Sequence, residues 1–167
     1  MYGDEIDETT SPIEAGLGWI GRQSLLITPQ YGSFVLLGVA IISEQCDSYD
    51  APYTGVGCGN CRRCIDACPN CAIIERHIDT RRCISKATIE RDNDALPLHG
   101  WIFGCDECQS CCPYNAKAPL ATNPHFAPII DPLAIDWQKM SEAEFTLHFA
   151  TSPLSRTTPQ RIRENID

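Results

Sequence analysis

The chain has 167 residues, 43% of them hydrophobic and 21% charged, enough for one ordinary domain or a domain with a small insert. Its eleven cysteines are an odd count at a density below that of small disulfide-stapled secreted scaffolds, which excludes a complete disulfide framework. The formal net charge of −9 disfavours unaided binding to nucleic-acid phosphates, because counterion release needs clustered Lys and Arg.

The acidic start, Met1-Tyr2-Gly3-Asp4-Glu5, carries no basic n-region ahead of an apolar core. The longest apolar stretch, Phe34 to Ile42, falls short of the ~20 residues that span a bilayer. A soluble, cytoplasmic protein with no membrane partner is expected, and in that compartment thiols stay reduced and clustered cysteines bind metal.

Residues 1–15 lack apolar periodicity and read as a frayed lead-in. Gly16-Leu17-Gly18-Trp19-Ile20-Gly21 is a glycine loop. Leu25–Thr28 and the longer Ser33–Ser43 run, separated by turn residues at Pro29-Gln30-Tyr31-Gly32, predict a β-hairpin whose second strand is largely buried. Residues 44–57 are loop-like. Asp79 is a candidate cap for a helix from Thr80 to about Glu90; Arg81 and Arg82 near its start oppose the macrodipole, which points to a partner outside the helix or to solvent. Residues 116–136 are proline-rich and predict a surface wrap. Ser141-Glu142-Ala143-Glu144 is a capping-box pattern opening a helix to about Ala150, and Thr158-Pro159 opens a short final one. The fold class is α+β: a small β-hairpin or sheet remnant, an inserted bacterial ferredoxin-like module with two [4Fe–4S] clusters, and short C-terminal helices.

That module rests on the cysteines. Cys58-x2-Cys61-x2-Cys64-x3-Cys68-Pro69 has the spacing of a bacterial-type [4Fe–4S] run, in which the fourth cysteine ligates the other cluster. Structural zinc, with four ligands in two pairs, would leave too many well-spaced cysteines unused. The second run, Cys105-x2-Cys108-x2-Cys111-Cys112-Pro113, admits two readings. Either Cys105, Cys108 and Cys111 join Cys68 in cluster two, with Cys112 left for cluster one, or Cys105 and Cys108 join Cys68 and Cys83 while Cys112 completes Cys58, Cys61 and Cys64. Spacing alone does not choose. Cys46, Cys71 and Cys111 otherwise read as ordinary thiols. His77, His99, His125 and His148 are scattered without ligand spacing and read as structural or surface residues. Trp19 and Trp101 stand beside glycines, where they could equally stack on a flat ligand or serve as core or lid.

Several segments together resemble epoxyqueuosine reductase. They are Gly16-Leu17-Gly18-Trp19-Ile20-Gly21, the run ending in Leu37-Gly38, Cys58 to Pro69, Arg82-Cys83-Ile84-Ser85 with Thr88-Ile89-Glu90, and Gly104-Cys105-Asp106-x-Cys108-Gln109-x-x-Cys112-Pro113-Tyr114-Asn115. The resemblance implies a cytoplasmic iron–sulfur and cobalamin enzyme that reduces the epoxide of epoxyqueuosine to queuosine in a tRNA anticodon loop, fed by an external electron donor. It implies cluster 1 on Cys58, Cys61, Cys64 and Cys112, and cluster 2 on Cys68, Cys83, Cys105 and Cys108, with Cys111 spare. It also implies a base-off corrinoid near cluster 2, with Gly18, Trp19, Ile20, Gly21, Arg22 and Ser85 among its contacts. The clusters would pass electrons singly, and a reduced cobalt centre would act on the substrate carbon while a carboxylic acid protonates the departing oxygen.

By the same resemblance, residues 16–57 are the C-terminal part of a corrinoid-binding α/β region, 58–115 the two-cluster domain, and 116–167 the proline-rich wrap and helices. In the family a substantial N-terminal region precedes the glycine loop, and an aspartate in a D-[ST]-A-P context donates the proton. Here fifteen residues precede Gly16, and Ser11-Pro12 stands too close to the loop to align with that motif. Asp4 and Asp7 lack its context, so no catalytic residue is assigned. The chain is therefore expected to be the electron-transfer part of such an enzyme, with the N-terminal part possible on a separate polypeptide. The alternatives are a plain two-cluster electron carrier and, more weakly, a corrinoid reductive dehalogenase-like protein.

Overall fold

The computed structural model of the protein describes residues 11–90, 95–127, 131 and 134–166. Asp4 and Asp7 lie outside the described residues. The elements in chain order are α1 (Ser11–Glu14), β1 (Trp19–Ile20), β2 (Leu26–Ile27), α2 (Arg63–Ala67), β3 (Ile73–Ile74), β4 (His77–Ile78), α3 (Ile84–Glu90), α4 (Glu107–Ser110), α5 (Glu142–Phe149) and α6 (Pro159–Ile166). Short 3₁₀ turns punctuate them, among them Thr80–Arg82, Asn115–Lys117 and Pro124–Phe126. The strands form two two-stranded sheets, β1-β2 and β3-β4, so the class is α+β. Among the described residues no helix is long and apolar enough to cross a membrane.

The chain divides into two compact units, one comprising residues up to Ile78 together with Glu107–Pro119, the other Asp79–Asp106 together with the chain from Leu120. In the first, the hairpin differs from the expected one. Leu26–Ile27 pairs antiparallel with the upstream Trp19–Ile20, in the register Trp19↔Ile27 and Ile20↔Leu26. The loop from Gly21 to Leu25 is closed by Gly21 N–H to the Leu25 carbonyl at 2.8 Å, and pairing with so near a segment costs little closure entropy. Downstream, pairing stops after a single bridge, Thr28↔Gly32. Ser33–Ser43 is neither a strand nor buried as a whole: Leu36 is 83% and Ile41 88% exposed. A continuous apolar run is the signature of a strand covered on both faces, and the described part of this unit lays no neighbouring strand along it.

Two glycines make these turns possible. A Cβ on Gly18 would overlap the Ile27 carbonyl across the hairpin, and one on Gly32, whose φ is +66°, would overlap the Asn115 side chain. A second hairpin, β3-β4, went unanticipated. Its turn residues Glu75 and Arg76 have φ of 42° and 68°, the left-handed pair that Asn-Gly normally signals.

In the second unit, Trp137, Phe145, Phe149 and Ile162 form a core, with Ile162 at 0% exposure. The expected helix from Thr80 to Glu90 is divided at Cys83, whose ψ of 119° takes it out of helical space. Asp79 caps the preceding 3₁₀ turn by accepting from Arg81 N–H. The guanidinium of Arg81 turns back onto Asp79 at 3.0 Å. The carboxyl of Asp79 is accordingly held below its ordinary range, chiefly by that side-chain hydrogen bond. Thr88, 1% exposed, donates to the Ile84 carbonyl at 2.8 Å and accepts Gly104 N–H at 2.9 Å, which pins the segment carrying Cys105 onto α3.

Both C-terminal helices form where their caps predict. Ser141 and Glu144 make the reciprocal capping box of α5, and Thr158 Oγ1 accepts Arg161 N–H at 3.2 Å at the start of α6. Hydrogen bonds from the Ser141 backbone and then its hydroxyl hold the Glu144 carboxyl below its ordinary range. A carboxylate whose pKa is depressed on folding contributes its stability above the unfolded value and loses it as pH falls through the folded one. Ser141→Ala should therefore cost about 1 kcal/mol near neutral pH, and the gap from wild type should narrow under acid conditions that protonate Glu144. Denaturant titrations followed by circular dichroism at the two pH values check both; an unchanged gap would contradict the assignment.

Candidate metal centre

The first cysteine run is a turn that becomes a helix. Cys61 N–H closes on the Cys58 carbonyl at 3.0 Å, with Gly59 between them at φ +53°. Helix α2 then carries Cys64, which is buried, and ends at Cys68, whose ψ of 114° redirects the chain. Cys71 N–H returns to the Cys68 carbonyl at 3.0 Å, and Cys68 Sγ accepts Ala72 N–H at 3.2 Å. The second run passes through α4, which carries Cys108, and its last turn, Cys112 N–H to the Gln109 carbonyl at 2.9 Å, brings in Cys112, also buried.

Asn115 fixes that second run. Its Oδ1 accepts Ser33 N–H at 2.7 Å, while its Nδ2 donates to the Gln109 carbonyl at 2.7 Å and to Ser33 Oγ at 2.9 Å. Ser33 Oγ donates in turn to Gln109 Oε1 at 3.0 Å. Gln109 and Asn115 belong to the motif quoted above, and their work is to hold Cys112 in place.

The result is one cavity whose lining includes Cys58, Cys61, Cys64 and Cys112 together with Gln23 and Ile27. None of the eleven cysteines is in a disulfide. Burial pushes the Cys64 thiol up, reinforced by the charges Cys111 and Cys58 would carry. Burial does the same to Cys111, with Cys112, Cys61 and Glu107 adding to it. Thiolates crowded in this way need a cationic centre, and metal binding deprotonates a coordinating thiol outright. Gln23 is 1% exposed, its Nε2 has no hydrogen-bond partner among the described residues, and the residue lines the cavity beside the four cysteines. Among the described residues no three His, Cys, Asp or Glu side chains are gathered as ligands of a single ion. The donor set fits a [4Fe–4S] cluster.

The remaining candidates are placed as follows. Cys68 and Cys108 belong to the first unit and Cys83 and Cys105 to the second, all half-buried; Cys111 is half-buried, and Cys46 and Cys71 are exposed. Of the residues expected to contact a corrinoid, Gly18, Trp19 and Gly21 are buried inside the hairpin, Ile20 and Arg22 are half-buried beside them, and Ser85 is half-buried on α3 of the second unit. Trp19 stacks on Tyr53 at 5.5 Å and meets Tyr114 edge-on at 4.8 Å, with its indole Nε1 3.5 Å from Cys58 Sγ. Gln23 and Tyr53 are the site neighbours that sequence reasoning missed. Neither carries a spacing signal.

Residues 57–115 match a family model described as a 4Fe-4S double cluster binding domain, so the module is an iron–sulfur one. Along nearly the whole chain, a protein of Synechococcus sp. (strain RCC307) is 40% identical over 160 residues, covering 92% of this chain and 50% of its own length. It is described as an epoxyqueuosine reductase, as is a Cellulophaga algicola protein 38% identical over 92% of this chain and 53% of its own. The resemblance is to epoxyqueuosine reductases. Solved epoxyqueuosine reductase structures agree: that from Streptococcus thermophilus superposes with a TM-score of 0.68 at 29% identity over 93% of this chain and 42% of its own. The Bacillus subtilis enzyme gives 0.73 at 26%, over 93% and 43%. A third, with a TM-score of 0.73 at 25% identity over 96% of this chain and 44% of its own, was solved with an epoxyqueuosine-modified tRNA-Tyr stem loop. The chain spans about half the length of the curated relatives it matches.

Asn115→Ala should destabilise the chain by on the order of 2 kcal/mol, because it strands the buried Ser33 N–H and removes the tie to the Gln109 carbonyl. Chemical denaturation measures this, and a loss below about 0.5 kcal/mol, the level of an ordinary surface substitution, would mean that the network is not holding the second cysteine run.

Proposed function

We propose that this chain is the electron-delivering part of an epoxyqueuosine reductase, acting on tRNA that carries epoxyqueuosine in its anticodon loop. The observation that carries the reading is the convergence of Cys58, Cys61, Cys64 and Cys112 on one cavity, in a chain similar to epoxyqueuosine reductases along 92% of its length. These four residues would hold one [4Fe–4S] cluster of a bacterial ferredoxin-type pair. The second set, Cys68, Cys83, Cys105 and Cys108, rests on the sequence resemblance, which leaves Cys111 spare.

Opening an epoxide to an alkene removes one oxygen as water and consumes two electrons and two protons. Paired [4Fe–4S] clusters supply single electrons from an external donor. The protein's own part is to hold the thiolates, exclude water from Cys64 and Cys112, and fix the second run through Asn115. Cobalamin dependence completes the proposal on the resemblance alone. Eleven cysteines, none of them in a disulfide, favour a reducing, cytoplasmic setting. A two-cluster electron carrier without catalysis of its own is the second reading. The burial of Gly18, Trp19 and Gly21, which leaves those three little surface for a corrinoid, favours it.

Anaerobic reconstitution separates the ligands. Wild type and Cys111→Ser should each bind about eight irons per chain, whereas Cys112→Ser and Cys83→Ser should each lose one cluster's worth. Full iron content in Cys112→Ser would overturn the first ligand set. With both clusters in place, the reductase reading expects a spectral change on adding cobalamin and conversion of epoxyqueuosine-containing tRNA when the chain is combined with the portion of a relative that it does not span; the carrier reading expects neither. Mass spectrometry of the tRNA nucleosides decides between them.

A further inference from the structure

The β1-β2 hairpin brings nitrogen donors to the first cysteine turn. Trp19 Nε1 points to Cys58 Sγ at 3.5 Å. Arg22 donates to the Gly59 carbonyl at 2.9 Å, which fixes the loop between Cys58 and Cys61 against the hairpin. Gln23 lines the four-thiol cavity with an unpartnered Nε2. Trp19 cannot turn away: it is 8% exposed, stacked on Tyr53 and edge-on to Tyr114. A Cβ on Gly57 would stand 3.2 Å from its Cδ1. An indole so confined has its N–H direction set by packing, and its acceptor is the Cys58 thiol of the proposed ligand set.

Reducing a [4Fe–4S] cluster adds one electron to a centre already carrying four thiolates. A hydrogen bond to sulfur is therefore stronger in the reduced state and raises the potential, the more so where water is excluded. We propose that Trp19 and Gln23 are positioning residues that set the reduction potential of the cluster on Cys58, Cys61, Cys64 and Cys112, Trp19 by donating to Cys58 Sγ and Gln23 by donating to sulfur of the cluster core. This gives the glycine-loop motif a role at the iron–sulfur centre. It rests on the reading that these four cysteines hold a cluster.

The test compares reconstituted wild type with Trp19→Phe, which keeps an aromatic ring without the N–H, and Gln23→Met, which keeps length without the amide. Potentiometric titration followed by EPR should show one of the two clusters harder to reduce in each variant, with the equilibrium constant lowered on the order of tenfold, or about 59 mV for a one-electron couple. The other cluster should hold its potential and iron content should stay at the wild-type value. Tyr53→Phe removes only a hydroxyl bonded to the Val56 carbonyl and should move neither potential. Protein labelled with ¹⁵N in its indoles should show a nitrogen coupling to the reduced cluster by electron–nuclear double resonance; the wild-type spectrum answers even if Trp19→Phe does not assemble. Unchanged potentials in both donor variants, an absent indole coupling, or an equal shift in Tyr53→Phe would overturn the inference. A different result, loss of no cluster in Cys58→Ser or no iron bound by wild type, would instead overturn the ligand reading on which it stands.

Discussion

The first unit is organised around the cost of gathering negative sulfur. Cys64 and Cys112 are buried, Cys58 and Cys61 stand beside them, and burial raises the Cys64 thiol while its sulfur neighbours raise it further. Such a set is stable as neutral thiols or as thiolates bound to metal, and not as free thiolates. The surrounding structure supplies what a metal–thiolate centre needs: a rigid turn-to-helix scaffold, apolar cover from Ile27 and Trp19, and N–H groups directed at sulfur. Asn115 and Ser33 are far from Cys58 in sequence, yet their hydrogen bonds decide whether the second cysteine run arrives at the site.

Local rules explain which parts of the fold were legible. Capping chemistry acts within one turn, so Ser141-Glu144 and Thr158-Pro159 announced α5 and α6 correctly. The cysteine spacing was equally readable, because three thiols two residues apart can wrap one face only as a turn enters a helix, and Cys58 to Ala67 does this. The β structure was less so. Whether Leu26–Ile27 pairs upstream or downstream depends on which partner closes the shorter loop and on what covers the Ser33–Ser43 run, and alternation within one segment carries neither fact. The β3-β4 turn used Glu75 and Arg76 at positive φ, a choice that tertiary contacts impose and composition does not signal; Ser24 Oγ holds it by donating to the Arg76 carbonyl at 2.9 Å.

The site shows the same division. Metal chemistry restricts residue type and spacing together, so the sequence could nominate Cys58, Cys61, Cys64 and Cys112, and these four line one cavity. Gln23 was not legible, since a lone glutamine after a glycine loop is indistinguishable from a solvated one until its burial is known. Trp19 was legible as important and ambiguous in role: a tryptophan beside glycine suits a flat ligand as well as a core. Its neighbours Tyr53, Cys58 and Tyr114, distant in sequence, resolve that locally into packing against the Cys58 sulfur.

The residues from Phe34 to Ile42 carry a further physical consequence. The segment has no charge and no proline between Ser33 and Ser43, and the side chains of Leu36, Val39 and Ile41 stand mostly in water. Chains with this composition and an open backbone are templates for intermolecular β pairing, and charged or proline gatekeepers are the usual protection against it. The ribbon thus offers an open edge for self-association, and the colloidal behaviour of the polypeptide is expected to depend on its concentration.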